Sequence, residues 1–286
     1  MNAPVAPGPG DRYAVIGNPI AHSRSPQIHT SFAQQHQQAL TYTRLLAPLD
    51  GFIESVRDFA EQGGRGLNVT VPFKEQAFAL ADHCADRARL AGAANTLSFG
   101  PDGIAADNTD GIGLVRDLTL RQGVDLAGAN IVLLGAGGAA RGVLLPLIQA
   151  GVGSVLIANR THQRALSLVK LFHDAAAQSA IELSACQTSE LAVVVRSLAR
   201  PVWINATAAS LNSDVSPVSG QLLAPALIAY DMVYSTQPTA FMKAALTVGC
   251  VKVADGLGML VEQAAESFYI WRGVRPATDT IYRDLR

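Results

Sequence analysis

Apolar residues recur along this chain in two rhythms, short apolar runs alternating with stretches in which they return every three or four positions. The first rhythm predicts strands over Tyr13–Gly17, Leu40–Ala47 and Leu67–Val71, and the second predicts helices over Pro26–Gln38, Phe52–Gln62 and Pro72–Cys84. Asn95–Phe99 and Ile104–Ala106 flank Pro101-Asp102-Gly103 and read as a hairpin. A helix over Gly111–Gln122 ends near Gly123, and the strand beginning at Ile131 follows. Further strands fall at Val155–Ala158, Val202–Asn205, Ile228–Met232 and Val251–Ala254, with a helix over Gly256–Trp271. Such alternation predicts an α/β protein with parallel or mixed sheets covered on both faces. Ligands of such sheets bind beyond the carboxyl ends of strands, so strand-end polar residues are the candidates for chemistry.

The run Ile131-Val-Leu-Leu-Gly135-Ala136-Gly137-Gly138-Ala139-Ala140 reads as a buried strand, a glycine-rich turn and a helix. Gly135 permits the tight turn, Gly137 lets a pyrophosphate approach the backbone, and Ala140 allows close helix–strand packing. Free N–H groups at the helix start then face phosphate. Small residues also serve ordinary strand–helix packing, and the next strand end favours the dinucleotide reading. There, where a free ribose 2′-hydroxyl would meet an acid, stand Asn159, Arg160 and Thr161, with Arg164 one turn on. Two guanidiniums and a hydroxyl suit a 2′-phosphate, so the expected cofactor is NADP and not NAD.

At 286 residues the chain is long for one core, which favours two domains. Hydrophobic residues make up 49% and charged residues 16%, a composition that buries a core and excludes a disordered chain. The net charge of −1 gives no basic field for nucleic acid or an anionic membrane. Cys84, Cys186 and Cys250 are odd in number and far apart, which argues against disulfides and zinc. Residues 1–12 read as a disordered Pro/Gly tail without the features of a signal peptide, and no apolar run approaches a bilayer span. A cytoplasmic location is expected.

Four strand-end groups carry candidate chemistry. In Asn18-Pro-Ile-Ala-His22-Ser23-Arg24-Ser25-Pro26, Ser25 reads as an N-cap with Pro26 at N1, and Ser23 and Ser25 together could line a pocket for a small carboxylate. In Asn68-Val-Thr70-Val-Pro72-Phe-Lys74, proline at N1 places Lys74 in the first helical turn, where the dipole disfavours a cation. Lys74 is there either solvated or a lysine of lowered pKa able to exchange a proton. Ala93-Ala-Asn95-Thr96 and Asp107-Asn108-Thr109-Asp110-Gly111 complete the set, with Asp110 capping the next helix or orienting a neighbouring lysine. Farther on, Tyr230-Asp-Met232-Val-Tyr234 and Asp255-Gly256-Leu-Gly258-Met259 precede Gln263, two turns beyond Gly256. His29, His36, His83, His162 and His173 sit in helical contexts without partners at metal spacing and read as surface or capping residues, so no metal is expected.

Taken in order, Ser23-Arg-Ser25-Pro26, Asn68 to Lys74, Asn95-Thr96, Asp107 to Gly111, Gly135 to Ala139 and Asn159-Arg-Thr161 resemble the shikimate dehydrogenase family over nearly the whole chain. The resemblance implies an NADP-dependent interconversion of 3-dehydroshikimate and shikimate on the route to chorismate and aromatic amino acids. It implies a substrate-binding α/β domain over 13–110, completed by helices in 257–286, and a Rossmann-type NADP-binding domain over 111–256. Carried over, Ser23 and Ser25 hold the substrate carboxylate, Thr70, Lys74, Asn95, Asp110 and Gln263 bind its ring hydroxyls, and Tyr234 closes the pocket. Gly135, Ala136, Gly137, Gly138 and Ala139 hold the pyrophosphate, Asn159, Arg160, Thr161 and Arg164 the 2′-phosphate, and Met232 with Gly256 the nicotinamide. Lys74 and Asp110 are the implied catalytic pair. The chain departs from the family at Ser210, where a glycine is usual. An NAD-preferring quinate/shikimate dehydrogenase is disfavoured by the absence of an acid at Asn159, and a non-catalytic dinucleotide-binding regulator by the intact Lys74 and Asp110. A monomer or homodimer is expected.

Overall fold

The computed structural model describes residues 10–207 and 215–286; the expected tail up to residue 9 and the Ser210 departure lie outside the described residues. The chain divides into two compact units, one running to Asp110 and resumed by Val261–Arg286, the other Gly111–Leu260.

The first unit is built on β1 (Asp11–Gly17), α1 (Ser25–Gln35), β2 (Leu40–Leu46), α2 (Phe52–Glu61), β3 (Gly64–Val69) and α3 (Lys74–Leu80). It continues through β4 (His83–Cys84), α4 (Asp86–Ala91), β5 (Thr96–Gly100) and β6 (Gly103–Asp107). Its sheet runs β2-β1-β3-β5-β6-β4, with β5 antiparallel to both β3 and β6 and the other pairings parallel. Phe52, Val56, Leu67, Phe73 and Leu97 pack on one side of it. Tyr13, Val15, Tyr42 and Trp271 pack on the other, with the Trp271 indole N–H donating to Leu97 O at 3.0 Å. Gly66 makes this possible, since a Cβ there would stand 2.5 Å from Trp271 Nε1. An ion network ties the unit's late segments together. Arg87 forks onto Asp107 (2.6 and 2.9 Å) and reaches Glu266 at 3.0 Å, and Glu266 also pairs with Arg275.

Several expectations change here. β1 begins at Asp11, because Asp11 is buried and paired with Arg272 (2.5 Å) and Arg65 (3.2 Å), so residues 11 and 12 belong to the sheet. Pro72 is not at N1: Phe73 N–H closes a turn on Thr70 O (3.0 Å), Phe73 stacks on Phe52, and the helix starts at Lys74. The expected helix to Cys84 breaks at Leu80; His83–Cys84 pairs with β6 and α4 follows. Ser25 and Pro26 are the first two residues of α1 rather than N-cap and N1, and Asp110 opens its helix rather than capping it. His29 is no surface residue. It is 1% exposed and stacks on Tyr42 at 4.2 Å, and burial, against a hydrogen bond with Asn68, lowers its pKa to about 3. His83 lies in a strand.

The second unit takes up α5 (Asp110–Arg116) from Gly111 onward, which passes into a π-helical turn over Asp117–Arg121, then β7 (Asn130–Leu134), α6 (Gly138–Gln149), β8 (Ser154–Asn159) and α7 (His162–Gln178). β9 (Glu182–Gln187), α8 (Leu191–Val194), β10 (Val202–Asn205), β11 (Ile228–Asp231), α9 (Ala240–Thr247) and β12 (Val253–Ala254) follow. All pairings in the sheet β12-β11-β10-β7-β8-β9 are parallel, the order of a doubly wound dinucleotide fold. Its first strand β7 is the apolar run of the glycine-rich motif. No strand is expected from the sequence at β9, whose residues are mostly half-exposed and lack an apolar run. β12 starts at Val253 because Val251 faces solvent and Lys252 reaches Gln122 O at 2.7 Å. The expected uniform helix over Gly111–Gln122 widens at Asp117, a fully buried carboxylate that accepts the Tyr230 hydroxyl at 2.7 Å. From β12 the chain enters α10 (Leu257–Arg272), and α11 (Asp279–Leu285) ends it.

Candidate active site

The carboxyl ends of β1 and β3, with the residues flanking β5 and following β6, bring the polar candidates of the first unit together. Lys74 is the first residue of α3, and its Nζ donates to Asp110 Oδ2 at 2.5 Å. Both side chains are partly buried, 30% and 17% exposed, so the pair is shielded but open to a reactant. Asp110 is held from its other oxygen by Asn95 Nδ2 at 2.8 Å, and its N–H donates to Asn108 Oδ1. The buried Asn95 amide also donates to Thr109 Oγ1 (2.9 Å) and Gln263 Oε1 (3.2 Å), which puts α10 into the same cluster. Thr70 directly follows β3 with its N–H on Ile16 O, and Gly17 leaves it room, for a Cβ at Gly17 would stand 2.5 Å from Thr70 Cγ2.

Ser23 and Ser25 form a pair, with Oγ atoms 3.2 Å apart and Ser25 N–H donating to Ser23 Oγ at 3.3 Å. They join the lysine cluster through buried groups. The Tyr42 hydroxyl lies beside Ser25 and donates to Asn68 Oδ1 at 2.7 Å. Asn68 Nδ2 donates to Ser267 Oγ at 3.0 Å, and Ser267 contacts Thr109 at 3.2 Å. The Tyr42 pKa is pushed well above its usual value by burial, so its hydroxyl keeps its proton and remains a donor.

In the second unit, Gly135 has φ +102° and turns the chain out of β7. A Cβ at Gly137 or Gly138 would meet nothing within 4 Å, so the turn faces open space, and α6 begins there with N–H groups that no side chain caps. Ala136 is half-buried and Ala139 exposed. At the end of β8, Asn159 Nδ2 donates to Thr161 O (2.9 Å), while Arg160, Thr161 and Arg164 are exposed. Donors without acids at both positions fit a dinucleotide bearing a 2′-phosphate. Met232 and Gly256 are locked together: Met232 N–H donates to Asn205 O, and a Cβ at Gly256 would stand 2.1 Å from Met232 O. Tyr234 is exposed at 40%.

The chain matches the family model described as shikimate dehydrogenase substrate binding domain over residues 15–97. It matches shikimate / quinate 5-dehydrogenase over 117–215 and the shikimate 5'-dehydrogenase C-terminal domain over 256–286. Shikimate dehydrogenase (NADP(+)) of Janthinobacterium sp. (strain Marseille) is 54% identical over 276 residues, 96% of this chain and 97% of that protein. The chain belongs to the shikimate dehydrogenase family. Among solved structures, an Ael1 enzyme from Pseudomonas putida shares 44% identity with a TM-score of 0.89, over 96% of this chain and 98% of that one. Shikimate 5-dehydrogenase from Thermus thermophilus, in complex with NADP(H) and shikimate, shares 32% identity with a TM-score of 0.81, over 96% of this chain and 97% of that one.

In this shikimate dehydrogenase family member, Ser23, Ser25, Thr70, Lys74, Asn95, Asp110 and Gln263 fall in one unit. Gly135 to Ala139, Asn159 to Arg164, Met232, Tyr234 and Gly256 fall in the other. Sequence motifs did not single out Tyr42 or Ser267 for the site, and placed Thr109 in a candidate group without a role of its own. Ser267 stands one helical turn after Gln263, and that spacing was the available signal. Among the described residues no His, Cys, Asp or Glu cluster could hold a metal, and no helix is long and apolar enough to cross a membrane.

Proposed function

We propose that this protein catalyses the reversible, NADPH-dependent reduction of 3-dehydroshikimate to shikimate, a step toward chorismate and aromatic amino acids. The observation that carries this reading is the Lys74–Asp110 pair, fixed by Asn95 at the strand ends. Ser23 and Ser25 receive the substrate carboxylate, where the start of α1 favours an anion. Thr70, Asn95 and Gln263 fix the ring hydroxyls, and Tyr234 covers the substrate. The glycine turn Gly135 to Ala139 holds the pyrophosphate, Arg160, Thr161 and Arg164 with Asn159 the 2′-phosphate, and Met232 with Gly256 the nicotinamide ring. NADPH, when bound, supplies the hydride. Lys74 Nζ stabilises negative charge developing on the substrate carbonyl oxygen and gives it a proton, while Asp110 keeps the ammonium aimed. In the oxidative direction Lys74 takes that proton back.

Absorbance at 340 nm, followed with shikimate or quinate and NADP⁺ or NAD⁺, tests the reading; turnover of shikimate with NADP⁺ is expected to exceed the other three pairs. No turnover of shikimate with either cofactor would overturn it. Arg160→Ala should raise KM for NADP⁺ much more than for NAD⁺, by roughly 10- to 100-fold if a charge-assisted contact of about 1.5–3 kcal/mol is lost. Equal losses with both cofactors would remove Arg160 from the 2′-phosphate site. Replacing Ser23 and Ser25 together by alanine should weaken shikimate binding and leave NADP⁺ binding intact in titration calorimetry. If the double variant only melts at lower temperature, the serine pair is structural.

A further inference from the structure

Tyr42 and Arg44 are alternate residues of β2 and so point to the same face of the sheet. Tyr42 is buried there with its hydroxyl beside Ser25. Arg44 lies at the exposed end of that face, and two of its nitrogens, Nε at 3.0 Å and Nη2 at 2.6 Å, donate to Ser23 O. One strand face therefore borders both serines of the proposed carboxylate site and holds Ser23 through its carbonyl. The fork matters because a planar guanidinium donating twice to one oxygen fixes the direction of that carbonyl, which an ammonium on a flexible stem does less well. Ser23 N–H is simultaneously tied to Ile20 O at 3.1 Å, so the turn is clamped from both ends.

The charged residues next to Ser23 are cations. The first turn of α1 contains no acidic residue, its N-cap Arg24 makes no side-chain cap, and the Ser25 N–H is taken by Ser23 Oγ. Arg24 and Arg44 are the cations beside Ser23, and Asp284, across a surface groove lined also by Gln27, Ser31 and Ile281, is the acidic group facing Arg44. Among the described residues Asp284 makes no ion pair with it, so the Arg44 charge is left to act on what binds at the serines.

We propose that Arg44 is the positioning residue that makes this site select an ionised carboxylate over its neutral counterpart, by clamping the Ser23 turn and by adding positive charge within reach of the two hydroxyls. The inference rests on the proposed shikimate reaction. A neutral ester meets the same hydroxyls and gains nothing from the charge, so acid and ester separate the two contributions. Electrostatic preference of this kind weakens as salt screens the field.

The test compares KM for shikimate with the inhibition constant of shikimate methyl ester in wild type, Arg44→Ala and Arg44→Lys. Arg44→Ala should raise KM for shikimate about tenfold while changing the ester constant less than about threefold, with KM for NADP⁺ unchanged. Wild-type KM should climb between about 0.05 and 0.5 M NaCl, and that dependence should flatten in Arg44→Ala. Arg44→Lys should restore most of the acid preference, since charge returns without the fork. Equal losses for acid and ester would make Arg44 scaffold alone and overturn the proposal, as would an unchanged KM. If the wild type fails to oxidise shikimate, the proposed reaction falls instead, and the two failures are thereby told apart.

Discussion

Lys74→Ala should lower kcat and kcat/KM for shikimate together, by roughly 10²–10⁴, and leave KM nearly unchanged. The reasoning is that Nζ acts on the substrate oxygen mainly as charge develops there, so its loss is felt in the transition state. The ion pair at 2.5 Å adds a second expectation. Asp110→Asn keeps the shape and the Asn95 contact but removes the anion that aims the ammonium, so turnover should fall as well. Because both substitutions damage one proton-transfer device, the double variant should be scarcely worse than the poorer single one. Steady-state kinetics on the four proteins, with circular dichroism to check folding, measure this. A Lys74→Ala enzyme with normal kcat and only a raised KM would reduce the lysine to a binding contact.

Glu266→Ala should destabilise the fold by roughly 2–4 kcal/mol, because Arg87 and Arg275 would both lose a mostly buried counter-charge. A fall in melting temperature of roughly 5–10 °C corresponds to that loss. Burial alone would raise the Glu266 pKa, but Arg275 and Arg87 outweigh it and hold the carboxyl below its usual value. A depressed folded pKa means that the unfolded chain takes up the proton first as the solution is acidified. The contribution is therefore complete at neutral pH, declines as pH falls below about 4.5, and is gone below the folded value. The gap between the melting curves of wild type and Glu266→Gln should narrow as pH falls below about 4.5. A gap that stays constant down to pH 3 would refute the electrostatic account.

How much could be read beforehand depended on how local each signal was. The turn after β7, the basic end of β8 and the Lys74 and Asp110 motifs are each written in a few consecutive residues, so they were legible. Pro72 misled because proline at N1 is common, while here the side chain of Phe73, buried against Phe52, fixes where the helix can begin. His29 was legible in principle: Ile28, His29, Phe32 and Ala33 are the buried stripe of α1, and the spacing assigns the histidine to the core. The links behind the site were not legible. Asn68 meets Ser267 across 199 residues, and no local pattern encodes a pairing at that range. Membership in a motif told that Asn68 mattered, and only the fold told what it holds.

The interruption of the first unit by Gly111–Leu260 has a consequence for synthesis. On the ribosome, β1 to β6 emerge long before Trp271, which covers the Tyr13–Tyr42 face, and Arg272, which pairs with Asp11. At typical translation speeds that face waits for roughly 10–30 seconds, a time in which the contiguous second unit can fold completely. The nascent N-terminal sheet is thus the part of this protein most in need of a holding chaperone, and the emergence of Trp271 and Arg272 is the event that ends its exposure.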